Sequence, residues 1–193
     1  MANEPSEVLL KAFKNPTKLA IIALLMKNGQ MTVTQLSKVT NTTRPNLYRS
    51  IKELVGDGII LKPRIKVKKN YVEKYYELNL KIFDSVKTSQ MMGAISRAPA
   101  SDLRELIISF LFMNSLLSNI FAEQIRTAAD DEIENYRRKI LDGSILMSYS
   151  TLSDSSMQTF SKYFNRFIGV LENKKKTSEK EEHALVVLSL PLY

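Results

Sequence analysis

The segment Thr32–Leu54 constrains this chain most, because it places a short helical pattern and a longer one on either side of a tight turn. Its first residue is followed three positions later by Gln35, a spacing that predicts a capping box at the start of a helix. Asn41-Thr42 predicts the turn, since Asn tolerates a positive φ better than most residues. Thr43 then predicts an N-cap, with Pro45 in the first turn of the second helix.

This second helix has two chemically different sides. One side is apolar at helical spacing and predicts packing against earlier helices, through Leu47, Ile51, Leu54 and Val55. The other side is polar and basic, and carries Arg44, Asn46, Tyr48, Arg49 and Lys52. We therefore expect one side of the helix to be buried and the other to face a polar partner.

Two further helices are predicted before this segment. The first covers Ser6–Lys14, and the second starts at Asn15-Pro16, where Asn is the cap and Pro occupies the first helical position. The second helix runs to about Lys27 and ends at Asn28-Gly29, because Gly accepts the left-handed conformation that such an end requires.

A basic hairpin is predicted directly after the segment. Residues 59–79 are rich in β-branched and aromatic side chains, with a tip near 68–70 and Pro63 at an edge or bulge of the first strand. Helix, turn, helix and basic hairpin in this order are what a winged helix-turn-helix needs to put one helix into a DNA major groove and the hairpin on the backbone. The predicted DNA contacts are Thr42, Thr43, Arg44, Asn46, Tyr48, Arg49, Lys52, Arg64, Lys66, Lys68 and Lys69.

The charge distribution agrees with a polyanion partner for the first half. Residues 1–100 hold 17 Lys and Arg against 7 Asp and Glu, a net +10, whereas residues 101–193 hold 11 against 13, a net −2. A generally basic, well-solvated surface is the plainer explanation, and the wing cations could also serve only to prevent strand-to-strand aggregation.

The second half is predicted to be helical. We expect residues 86–100 to be a linker, and a long amphipathic helix to start after Ser101-Asp102. An apolar side of that helix predicts a dimer interface formed by Leu103, Leu106, Ile107, Phe110, Leu117 and Phe121. The predicted domains are thus 1–85 for DNA binding and 101–193 for dimerisation and a possible effector response.

Three shorter predictions concern the end of the chain. Helix should extend over Asp130–Lys139, another helix over Ser155–Asn173, and a strand over 183–190 that could pair within or between chains. The Ser155–Asn173 helix carries an aromatic stripe that suits a core or a dimer interface better than a ligand pocket. The stripe comprises Phe160, Tyr163, Phe164 and Phe167.

Several function classes lack any sequence support. The chain has no Cys, which excludes disulfides and thiolate metal sites, and its single histidine, His183, signals nothing alone. There is no Gly-rich phosphate loop and no catalytic triad pattern, so we expect neither an enzyme nor a cofactor. The N-terminus lacks a secretory pattern and no apolar run reaches the roughly 20 residues of a membrane span, which predicts a cytoplasmic protein.

Residues 6–80 resemble the ArsR-type winged-helix regulators of bacteria and archaea. The resemblance is carried by Asn15-Pro16-Thr17-Lys18-Leu19, by Thr32–Leu36, by Thr43–Leu54 and by Gly58-Ile59-Ile60; MarR-like and other winged-helix regulators share much of this spacing. It implies DNA binding by a dimer. Metal-sensing members carry paired cysteines on the helix that corresponds to Val33–Thr40, and their absence here argues against soft-metal sensing.

The sequence thus predicts a mainly α protein with a small β-wing that regulates transcription, as a repressor, by binding double-stranded DNA as a homodimer. A small-molecule effector is left open. One alternative is an architectural DNA-binding protein with low sequence preference, and the other is a winged-helix module that binds proteins.

Overall fold

The computed structural model describes residues 4–40, 42–68, 71–141 and 153–173. The chain divides into two compact units, Met1–Thr127 and Ala128–Tyr193. In chain order the first unit contains α1 (Pro5–Phe13), α2 (Pro16–Asn28), β1 (Gln30–Thr32), α3 (Val33–Thr40), α4 (Arg44–Gly56), β2 (Arg64–Lys68), β3 (Tyr71–Glu77), α5 (Leu80–Asp84), α6 (Thr88–Arg97) and α7 (Ala100–Arg126). The second unit contains α8 (Asp130–Leu141) and α9 (Asp154–Asn173).

Local hydrogen bonds explain where the first helices begin and end. The Asn15 side chain accepts a hydrogen bond of 3.0 Å from the Lys18 amide at the start of α2, and Gly29 ends the helix at a φ of 75°. At α3 the Thr32 amide donates to Gln35 Oε1 at 2.8 Å while the Gln35 amide donates to Thr32 Oγ1 at 3.2 Å. This reciprocal pair is the predicted capping box, so both helix starts are confirmed.

The three strands form one antiparallel sheet in the order β1-β3-β2. The sequence did not predict β1, which pairs with the inner end of β3 and so ties the hairpin to the helical core, with Met31 opposite Tyr76. The predicted position of Pro63 inside the first strand is wrong, because β2 begins one residue later at Arg64. A proline cannot donate to the ladder, and here it lies just outside it.

A clamp joins the end of α4 to the base of the hairpin. Gly58 follows the helix at a φ of 73°, a conformation open to glycine, and its carbonyl accepts a hydrogen bond of 2.9 Å from the Asn79 side chain. The Asn79 amide donates to the carbonyl of Ile59 at 2.8 Å, and Ile60 bridges to Leu78. The outgoing and returning chains are therefore fixed to each other beside the helix end.

The main core lies between α2, α3, α4 and the inner part of the sheet. Its fully buried side chains come from the three helices and from the segment after α4, and the sheet adds the buried Met31 and Tyr76. The fully buried set includes Ile21, Leu24, Leu25, Leu36, Leu47, Ile51, Leu54, Ile59 and Ile60. Burial of these side chains is the main source of the stability of the domain.

The range 86–100 is not the predicted linker, because it contains α6. Met91, Ala94 and Ile95 form an apolar side of this helix, which packs on α1 beside Leu10. Gly93 lies inside this helix, where a single glycine is tolerated. The first unit accordingly extends to Thr127, well beyond residue 85.

The long helix α7 begins at Ala100, close to the predicted start, and packs against α2 and α1. Lys14, the C-cap residue of α1, forms an ion pair of 2.6 Å with Asp102 in the first turn of α7. In the part of the chain that the structure describes, α7 is one helix whose length and apolar composition would suit a membrane span. Core helices of soluble proteins can have the same length and apolar composition, so these properties do not establish a membrane span.

The second unit is described by two separate helices. The acidic first turn and basic last turn of α8 complement the helix dipole. The predicted helix over Ser155–Asn173 is confirmed by α9, where the rings of Phe160 and Phe164 stack with centroids 5.8 Å apart. The predicted strand 183–190 lies outside the described residues.

Candidate nucleic-acid interface

Helix α4 presents one polar side to solvent because its other side is held in the core. Leu47, Ile51 and Leu54 are buried against α2 and α3. The five residues of α4 that are predicted to contact DNA are all exposed, namely Arg44, Asn46, Tyr48, Arg49 and Lys52. The predicted orientation of the helix is confirmed, whereas contact of these residues with DNA stays a prediction.

The turn before α4 is closed by its own hydrogen bonds. Ser37 Oγ donates to the Thr42 carbonyl at 3.2 Å, and Thr42 Oγ1 donates to the Thr40 carbonyl at 3.2 Å. Thr43 occupies the predicted N-cap position with extended backbone, although its side chain makes no capping hydrogen bond. One physical reason is Pro45, the second helical residue, which has no N–H to donate to a cap.

The hairpin β2–β3, which we call the wing, separates its side chains onto two faces. The pairing places Arg64 opposite Tyr75 and Lys66 opposite Glu73 on one face, because opposed residues of an antiparallel pair share a face. Arg64 forms an ion pair of 2.9 Å with Glu77. The Lys66 ammonium lies 4.6 Å from the centroid of the Tyr75 ring.

Two of the predicted wing cations therefore already have partners within the sheet. Both cations are exposed, whereas Glu77 and Tyr75 are half-buried. Pairs with an exposed cation contribute little to stability, so a phosphate could compete for the same cations. Lys69 lies outside the described residues.

The opposite face of the wing is apolar at its outer end, which sequence reasoning missed. Ile65, Val67 and Val72 are 62%, 76% and 58% exposed, and Lys74 lies among them in the strand register. Further inward on the same face Tyr76 is buried, and burial together with the nearby Tyr48 phenol raises its pKa. Alternation along the strands predicts these two faces. Which end of the apolar face is exposed follows only from the burial of each side chain in the structure.

A charged cluster connects α4 to α2. Glu53 Oε2 lies 2.9 Å from Lys18 Nζ, and Glu53 Oε1 accepts a hydrogen bond of 3.2 Å from Arg49 Nε. These two cations hold the pKa of Glu53 below its ordinary value, and Lys18 has the larger effect. Beside the cluster is a polar depression of about 320 Å³ lined by Asn15, Thr17, Asn46, Arg49, Ser50 and Glu53.

The predicted dimer residues on α7 divide into two groups. Leu106 is buried against Leu10 and Ala94, and the Phe110 ring packs edge-on against Phe13 with centroids 6.2 Å apart. Leu103, Ile107 and Phe121 are exposed to between 38% and 49%, and Leu117 is half-buried. Leu106 thus serves the core of its own chain.

The described residues contain no group of three His, Cys, Asp or Glu side chains that could hold a metal ion.

Comparison with known proteins identifies the domain that carries α4. Residues 14–60 match the family of winged helix-turn-helix DNA-binding domains, a range that runs from the end of α1 through α2, α3 and α4. Among solved structures, HlyU from Vibrio cholerae N16961 is 22% identical, with 47% of this chain and 84% of that one covered and a TM-score of 0.32. No curated protein matches the chain. The first unit therefore contains a winged helix-turn-helix DNA-binding domain.

The Glu53 cluster predicts a pH-dependent stability. Because its pKa is lowered in the folded chain, the carboxylate stabilises the fold above its ordinary pKa of 4.5, and this contribution is lost as pH falls through the folded pKa. We expect Glu53→Gln to lower the free energy of unfolding near pH 7, and the difference from wild type to shrink well below pH 4.5. Urea unfolding of the wild type and of the variant at both pH values measures this difference in the free energy of unfolding.

The matched control is Glu7→Gln, which removes an exposed carboxylate from α1. A difference between wild type and Glu53→Gln of equal size at both pH values would contradict the assigned role of the charge.

Proposed function

We propose that the protein is a sequence-specific transcription regulator of the ArsR-like type, which binds duplex DNA as a homodimer and represses by occluding a promoter. The observation that carries this proposal is the exposed polar and basic side of α4 on a domain that matches winged helix-turn-helix DNA-binding domains. The net charge of +10 over residues 1–100 supports a polyanionic partner.

In this proposal α4 and the wing have different tasks. A major groove about 12 Å wide admits an α-helix, and Arg and Asn side chains can each form two hydrogen bonds to a guanine or an adenine edge. Arg44, Asn46 and Arg49 are the candidates for this role. The wing cations and the threonines before α4 would contact phosphates, which position the protein without reading sequence.

Dimerisation would follow from the exposed apolar residues of α7. Leu103, Ile107, Leu117 and Phe121 follow one another at intervals of four, ten and four residues, which places them on one side of the helix. Two copies joined through this side would present two α4 helices, and a palindromic site with half-sites about 34 Å apart would bind both. A protein of this function would be cytoplasmic.

Specific binding is tested by fluorescence anisotropy of the full chain on DNA from upstream of its own gene and on a scrambled duplex, at several salt concentrations. We expect a preference for the native sequence of about 10³ or more. Equal affinities with a steep salt dependence would contradict the specific regulator and favour an architectural protein. An absence of binding at low salt would instead favour a protein-interaction module.

Neutralising the wing tip should weaken binding to every sequence alike. We expect Lys68→Ala/Lys69→Ala to lower the slope of log affinity against log salt by about one for each phosphate that the variant no longer neutralises. Lys11→Ala/Lys27→Ala removes the same charge from α1 and α2 and serves as the control. An unchanged slope in the wing variant would remove the wing from the interface.

The dimer is tested by charging the proposed side of α7. Ile107→Glu introduces a carboxylate at a position where the native side chain is 49% exposed, so we expect the chain to stay folded. In the dimer this charge would be buried without a partner, so we expect the dimer to dissociate. Phe112→Glu is the control, because Phe112 is 62% exposed on a different side of the same helix. Sedimentation equilibrium reports the mass, and equal masses for both variants would contradict the interface.

A further inference from the structure

The position of Glu53 calls for an explanation beyond the fold. It lies on α4, near the side that the proposed function directs at DNA, where a carboxylate repels phosphates. Both of its oxygens are engaged, Oε2 by Lys18 at 2.9 Å and Oε1 by Arg49 at 3.2 Å. The carboxylate therefore bridges a cation of α2 and a cation on the exposed part of α4.

The two cations differ in their surroundings. The Lys18 side chain is 8% exposed, whereas that of Arg49 is 84% exposed. A buried ammonium needs a counter-charge, because removing the partner leaves an uncompensated charge in the protein interior. An exposed pair four residues apart on a helix is weak by itself. Lys18 thus sets the position of the carboxylate, and the carboxylate in turn sets that of Arg49.

The hydrogen bond of Arg49 goes through Nε, the nitrogen nearest the aliphatic stem. The terminal nitrogens Nη1 and Nη2 form the outer end of the guanidinium. Two N–H groups of an arginine match the O6 and N7 acceptors of guanine in the major groove, which is the commonest specific contact between a protein and DNA. A guanidinium fixed by Nε loses less rotamer freedom when it binds a base, because part of that freedom is already restricted.

We propose that Glu53 is a positioning residue that fixes Arg49 to read a guanine, and that Lys18 anchors Glu53. This assignment rests on the proposed function and specifies which side chain of α4 carries base recognition. It also explains the carboxylate near a DNA-binding surface, since its repulsion of phosphates is offset by the order that it gives to Arg49.

The experiment uses the full chain and duplexes selected by it from a random library. Affinities are measured for the best duplex, for duplexes in which each preferred guanine pair is replaced by an adenine pair, and for an unrelated duplex. At one guanine we expect the wild type to discriminate by about 5- to 150-fold, and Arg49→Ala to abolish this discrimination. Glu53→Gln should reduce discrimination at the same guanine at least about fivefold while it raises affinity for the unrelated duplex.

Two controls separate positioning from charge and from folding. Glu7→Gln makes the same change in net charge on α1 and should leave guanine discrimination unchanged. Circular dichroism checks whether Glu53→Gln folds. If it does not fold, the double variant Lys18→Met/Glu53→Gln replaces it, because this variant leaves no unpaired buried ammonium. The double variant should show the same selective loss at this guanine.

The outcomes distinguish this assignment from the function on which it rests. If Glu53→Gln or the folded double variant discriminates as well as wild type, or if Arg49→Ala keeps every base preference, the assignment is overturned while sequence-specific binding stands. If the wild type binds all duplexes equally, sequence-specific function fails and the assignment fails with it.

Discussion

The burial of Leu47, Ile51 and Leu54 against α2 and α3 is the contact on which the candidate surface depends. These side chains fix the rotation of α4 about its own axis, and that rotation decides which residues reach solvent. Rotating the helix by a third of a turn would bury Lys52, at a cost of several kcal/mol if its charge had no partner. The apolar side therefore sets the position of every polar group on the other side.

The same contact explains the part of the structure that sequence reasoning anticipated. Helical spacing in α2 and α4, the Asn15 cap and the Thr32–Gln35 capping box are local signals whose physics involves neighbours a few residues away. These local signals predict the structure correctly because packing in the core of this domain favours the same helices. The polar side of α4 followed from them directly, since an amphipathic helix has only one side left to expose.

What sequence reasoning missed was set by partners distant in the chain. In the sequence, the few apolar residues of α6 do not distinguish this helix from a linker. Their role becomes visible only in the structure, where they pack against α1. Lys18 gave no sign of burial, since its ion pair with Glu53 spans two helices. Likewise, the four predicted wing cations look equivalent in sequence, but the strand register gives Arg64 an acidic neighbour and Lys66 an aromatic one.

The clamp at Asn79 has a consequence for the DNA that this domain binds. Asn79 donates one hydrogen bond from its side chain and one from its backbone amide, and these bonds hold the end of α4 and the base of the wing together. The distance between a groove contact by α4 and a backbone contact by the wing is then fixed by the protein. Where the two do not match straight B-form DNA, the duplex has to bend or change its groove width. Flexible steps such as TA and CA deform at lower cost than stiff A-tracts, so base pairs that no side chain touches would also contribute to site preference.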